Sequence, residues 1–114
     1  MSAARYVPDR GDLLWLTFDP QAGHEQAGRR PALVLTPASY NRKASLALMC
    51  PITSHTKGYP FEVVLPAGLP VSGVILADHL KSLDWVARRA RFAVKATEDV
   101  LAEVTAKLRP LLRL

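Results

Sequence analysis

The seven residues DLLWLTF, positions 12–18, constrain this chain more than any other stretch. Successive side chains of a strand point to opposite faces. Leu13 and Trp15 therefore face one way, and Leu14, Leu16 and Phe18 the other. A strand that is apolar on both sides needs a cover on each. A chain of 114 residues builds one core, so a second copy of the protein is one source of the second cover.

Further short apolar runs follow, bounded by Pro, Gly, Asn or charge as strands are. They are PALVLTP (31–37), SLALMCPI (45–52) and FEVVLP (61–66). In the last, Phe61, Val63 and Leu65 alternate with Glu62 and Val64, which predicts a half-buried strand. GVILADHLKSLDW (73–85) reads as one long bent strand or two successive ones, and ARFAVKA (90–96) adds another. From Thr97 the period changes to that of a helix. Val100, Leu101, Val104, Leu108, Leu111 and Leu112 share one face, with Thr97 as N-cap and Glu98 and Asp99 at the positive end of the dipole. Pro110 is expected to distort or end this helix. The expected fold is mainly β with helices, one domain over residues 1–114, a small curled β-barrel closed by a C-terminal α-helix.

Cys50 is the only cysteine, so no internal disulfide forms, and its apolar neighbours mark it as core. No apolar run approaches the roughly 20 residues of a membrane span, no secretory signal opens the chain, and a cytoplasmic protein is expected. Fifteen Lys and Arg against ten Asp and Glu leave a net charge of +5, which suits a soluble surface or an anionic partner equally. The three histidines are far apart and lack a paired spacing, so neither a metal site nor a cofactor is expected.

Two loops carry more chemistry than connection requires. DPQAGHEQAGRR (19–30) is long for a hairpin, and its glycines allow it to move as a flap. Pro31 holds Arg30 extended at the mouth of the next strand, where its guanidinium suits a phosphate. An ion pair with Glu25 or Asp19 is the competing use. TSHTKGYPF (53–61) sets Thr53 at a strand exit, where threonine commonly caps a turn. Lys57 and Tyr59, beside Gly58, resemble a phosphate contact next to a stacking surface. Arg88, Arg89, Arg91 and Lys95 add a basic stretch that either guards a sheet edge or faces an anion.

The segments GDLLWLTFDPQAGHEQAGRRPALVLTP, YNRK, CPITSHTKGYPFEVVLP and GVILADHLKSLDW together resemble the MazF/PemK toxin family, over about residues 5–112. The resemblance implies an SH3-like barrel of the kind shared with the CcdB toxin. It further implies a homodimeric, sequence-specific, ribosome-independent endoribonuclease. Such an enzyme cuts single-stranded RNA, mRNA included, without a metal and leaves 2′,3′-cyclic phosphate and 5′-hydroxyl ends. An acidic MazE-like antitoxin, whose disordered tail folds onto the RNA groove, restrains it. By the same resemblance Arg30 and Thr53 are catalytic, and Glu25 and Gln26 lie on the loop that closes over RNA. Phe18, Asn41, Lys57, Tyr59, His79 and Arg88 complete the RNA contacts. Relatives commonly carry glutamine where this chain has His79, and serine where it has His24, so the inherited cleavage motif is open to change. His24 and His55 sit in polar loops where histidine is usually surface, and a two-histidine mechanism rests only on the ordinary imidazole pKa. The rivals are a CcdB-like toxin that poisons a topoisomerase and a non-catalytic RNA-binding module.

Overall fold

The computed structural model describes residues 5–18 and 28–114. Seven strands form one antiparallel sheet: β1 (Asp12–Phe18), β2 (Gly28–Val34), β3 (Leu46–Thr53), β4 (Glu62–Val64), β5 (Val74–Leu76), β6 (Lys81–Asp84) and β7 (Arg91–Lys95). Helix α1 (Ala38–Ala44) links β2 to β3, and α2 (Glu98–Leu112) closes the described chain. The sheet order is β4-β5-β3-β2-β1-β7, with β6 also beside β3. Among the described residues the curled sheet does not close, since β4 and β7 remain its two ends. The run 73–85 is two strands, separated by a single 3₁₀ turn at Ala77–His79. β5 pairs with the C-terminal end of β3 and β6 with its N-terminal half, so the chain changes position along one edge.

Both faces of β1 are buried, as its pattern requires, but the chain supplies both covers itself. On one face Leu13 joins Leu33, Ile52, Val63 and Ile75 beneath Val100, Leu101, Val104 and Leu108 of α2. On the other, Leu14 and Leu16 pack with Ala32, Val34, Met49 and Trp85, flanked by Tyr6, Val7 and Phe18. A second copy is therefore not needed to bury β1, which corrects that part of the sequence argument.

α2 begins as expected: the Thr97 hydroxyl accepts from the Val100 amide at 3.3 Å. It does not end at Pro110, which sits inside the final turn. There the missing amide deprives only Ala106 of a donor, and few residues remain to be disrupted. Leu111 and Leu112, which the pattern places on the apolar face, are exposed.

Helix α1 has no counterpart in the apolar pattern, because Asn41 is its only buried residue. Asn41 is fully enclosed. Its amide donates to the carbonyls of Pro8 and Thr36 at 2.8 and 2.9 Å, and its side-chain oxygen accepts from the Thr36 hydroxyl at 2.6 Å. The Asn41 carbonyl in turn accepts from the Trp85 indole at 3.0 Å. Every polar atom of the side chain is thus committed inside the protein, which corrects its expected place among the RNA contacts. Asn41→Ala strands the buried Pro8 carbonyl and the partly buried carbonyl and hydroxyl of Thr36, and unfolding in urea is expected to show a loss of about 3 kcal/mol. A loss below about 1 kcal/mol would show that water replaces these bonds.

The buried Cys50 and the partly buried Tyr6 hold protons more tightly than usual. Burial, reinforced by the nearby Asp78, pushes the Cys50 thiol up to about 12. Burial and the hydrogen bond it donates to Asp12 at 2.5 Å raise the Tyr6 phenol. Above about pH 9 the unfolded chain releases a thiol proton that the folded chain keeps, so stability falls as pH rises from there toward 12. Tyr6 adds a further decline above about pH 10. Denaturant midpoints are expected to hold between pH 7 and 8.5 and drop by pH 10.5, with a smaller drop in Cys50→Ala.

Candidate active site

The β2–β3 ladder stops where proline removes its donors. Its register pairs Val34 with Met49, Leu33 with Cys50 and Ala32 with Pro51. Pro31 follows toward the chain's earlier residues, and it has no amide to offer. Among the described residues no β2–β3 pair forms past Ala32 and Pro51, and an open depression of about 510 Å3 lies beside this end of the two segments. Its walls are Arg29, Arg30 and Pro31 from β2, and Ile52, Thr53, Ser54 and His55 from β3 and the loop after it. Continued by two residues, the same register sets Arg30 level with Thr53.

Arg30 and Thr53 are both half-buried, whereas Ser54 and His55 are exposed. The Thr53 oxygen accepts from the His55 backbone amide at 3.1 Å. Threonine does cap its turn, and that bond occupies an acceptor lone pair while leaving the hydroxyl hydrogen free to donate. Arg29 lies on the opposite side of β2, its guanidinium 6.0 Å from the Trp15 ring. Among the described residues neither arginine is ion-paired to a carboxylate.

The loop leaving Thr53 is held in shape by Glu62, whose carboxylate accepts from the amides of Lys57 and Gly58, each at 3.0 Å. The Lys57 ammonium stands 5.8 Å from the Tyr59 ring, and Tyr59 is exposed. These two residues are neighbours of the depression rather than part of its wall. Arg88 stacks on Phe18 at 4.1 Å, beyond the end of β1 that pairs with Gly28. It lines a separate depression with Thr17, Ser82 and Asp84. His79 is exposed on the 3₁₀ turn, its Nε2 3.8 Å from Asp78, and does not reach the Arg30–Thr53 wall. Glu25, Gln26, His24 and Asp19 lie outside the described residues. Arg29, Ser54 and the His55 amide were not singled out as site residues from sequence; Pro31, where the β2–β3 ladder ends, was the available signal.

The description "PemK-like, MazF-like toxin of type II toxin-antitoxin system" matches residues 9–112. The chain belongs to the PemK/MazF toxin family. Endoribonuclease toxin MazF of Escherichia coli K12 is 50% identical over 109 residues, 96% of this chain and 97% of that one. Endoribonuclease PemK of Escherichia coli is 36% identical, over 91% of this chain and 81% of its own. A chain in the crystal structure of MazE-MazF from Deinococcus radiodurans superposes with a TM-score of 0.91 at 64% identity, covering 96% of this chain and 99% of that chain. An endoribonuclease bound to its cognate antitoxin from a mycobacterial species has the same PemK/MazF fold at 19% identity, with a TM-score of 0.73.

Proposed function

We propose that this PemK/MazF protein is an endoribonuclease toxin that cleaves single-stranded RNA at a short sequence motif, without a ribosome or a metal. Arg30 and Thr53 facing one depression carries the reading. In this reaction the ribose 2′-oxygen bonds to the adjacent phosphorus as the bond to the 5′-oxygen breaks. The 2′-hydroxyl loses a proton and the 5′-oxygen gains one, leaving a 2′,3′-cyclic phosphate and a 5′-hydroxyl.

Charge grows on the non-bridging oxygens during attack, and a fixed, partly desolvated guanidinium aimed at it is the larger catalytic contribution. Arg30 supplies that donor. Thr53 donates its free hydroxyl hydrogen to the same phosphate and holds it in line with the attacking oxygen, which lowers the entropic barrier. A guanidinium keeps its proton in a protein, so Arg30 stabilises charge and is a poor base. Glu25 is the group proposed to accept the 2′-hydroxyl proton, delivered by its loop.

The remaining assignments follow the same chemistry. Phe18, Gln26, Lys57, Tyr59, His79 and Arg88 contact the RNA around the cleaved bond, with His79 shaping base preference. The protein acts as a homodimer. An acidic MazE-like antitoxin occupies the groove, since carboxylates and phosphates answer to the same arginines.

Incubating the protein with a long defined RNA in excess EDTA, then mapping the new ends, tests the proposal. Recurrent 5′-hydroxyl ends at one motif are expected. Strict metal dependence overturns the metal-free mechanism. Binding without cleavage supports an RNA-binding module, and neither binding nor cleavage supports the topoisomerase-poisoning alternative.

A further inference from the structure

Arg89 adopts φ +52, a left-handed geometry that glycine takes freely and arginine only at a cost. An observed backbone outlier of this kind is a reason to look for a role. The turn that contains it is rigid: the amides of Arg88, Arg89 and Ala90 donate to the carbonyls of Asp84, Val86 and Trp85 at 3.1, 3.1 and 3.0 Å. The Thr17 amide clamps the turn to β1 through the Arg88 carbonyl at 2.7 Å. Consecutive arginines leave this turn on two flanks. Arg88 lies over Phe18, toward the active depression, since Phe18 and Leu16 share a face of β1 and Leu16 pairs with Arg30.

Arg89 lines a second depression of about 220 Å3 with Arg5, Tyr6, Trp85, Val86 and Ala90. The Phe92 ring meets Tyr6 edge-on at 5.9 Å and is half exposed. Among the described residues no carboxylate is ion-paired to Arg5, Arg88 or Arg89. The nearest acid on the turn, Asp84, accepts from the Ala87 amide at 2.8 Å. Phe18, Tyr6, Trp85 and Ala90 all belong to the same face of the sheet.

We propose that Arg5 and Arg89, with Phe92, form a second contact surface for single-stranded RNA, outside the cleavage cleft and reached from it past Arg88. The arginines bind backbone phosphates, and the exposed Phe92 ring offers a face for a base to stack on. This surface reads no sequence; it lengthens the track on which RNA is held. The inference rests on the endoribonuclease reading of the neighbouring cleft.

The test uses RNA with 2′-O-methyl groups throughout, which removes the nucleophile so that binding alone is measured. One oligonucleotide has five nucleotides around the cleavage motif and one has about twenty. The longer is expected to bind the wild type about tenfold more tightly, and Arg5→Gln with Arg89→Gly to reduce that gain to about twofold. The salt slope for the long RNA should fall by about 0.7 per arginine removed. Arg89→Gly also relieves the backbone, so its melting temperature should be equal or higher; if the double variant unfolds, the single Arg89→Gly variant carries the test. An unchanged length gain overturns this surface, whether the turn then proves to meet an acidic peptide or a second copy. Wild-type protein that cuts no unmodified RNA overturns the nuclease reading instead, and the two failures are told apart.

Discussion

Arg30→Ala is expected to abolish RNA cleavage, with a fall in kcat of about 10³-fold or more and little change in melting temperature. The magnitude follows from removing a charged donor aimed at developing negative charge, where single neutral donors are already worth about 10²–10³. Stability is spared because the backbone pairing of Arg30 with Leu16 survives truncation, and among the described residues its guanidinium is ion-paired to no carboxylate. Arg30→Lys keeps the charge but loses the fork, and should retain no more than about a hundredth of the activity. His24→Ala and His55→Ala should keep most of it. His55 does line the depression, yet what it gives Thr53 is its backbone amide, which alanine preserves. Single-turnover cleavage of a short RNA measures all four. Loss of activity in a folded histidine variant would shift the proton-transfer role to that imidazole and remove the present assignment.

The strands were legible because burial wrote itself into their alternation. Val63 and Leu65 are enclosed while Val64 is exposed, as the FEVVLP pattern predicts. α2 was legible for the same reason, together with its Thr97 cap. Helix α1 was not, since hydrogen bonds from one asparagine secure it rather than an apolar stripe. Nor could the pattern of β1 say whose side chains would cover its second face; Tyr6 and Val7 lie outside the strand's alternation, Trp85 is remote in sequence, and no periodicity links them. For the site, Pro31 directly after Arg30 announced an extended arginine at a strand mouth. That Thr53 stands across from it is a matter of strand pairing, which the residues alone imply only through their resemblance to the PemK/MazF family. The participation of a backbone amide from His55 leaves no trace in residue identity at all.

The second large effect is expected at a residue with no functional group. Gly73 has φ +117, and a Cβ there would collide with the Thr53 carbonyl oxygen, approach its carbon to 2.8 Å and the Ser54 Cα to 3.2 Å. All three atoms belong to the backbone, so no side-chain rotation relieves the contact. Gly73 is seated this closely because the next residue, Val74, pairs with Thr53 across β5 and β3. Its own carbonyl accepts from the Leu65 amide at 3.0 Å, which prevents retreat on the other side. Gly73→Ala should therefore combine left-handed strain with overpacking, a cost of roughly 2–4 kcal/mol in urea unfolding. The strain must be relieved by moving Thr53 and Ser54, the wall opposite Arg30. A displacement of about 1 Å in a positioning group can cost about 10²-fold in rate, so kcat should fall well beyond what the lost stability explains. Gly68→Ala is the matching control, because φ +92 imposes comparable backbone strain while its Cβ meets open space. If both variants lose stability equally and both cleave RNA normally, the close approach of β5 is not what holds Thr53 in place.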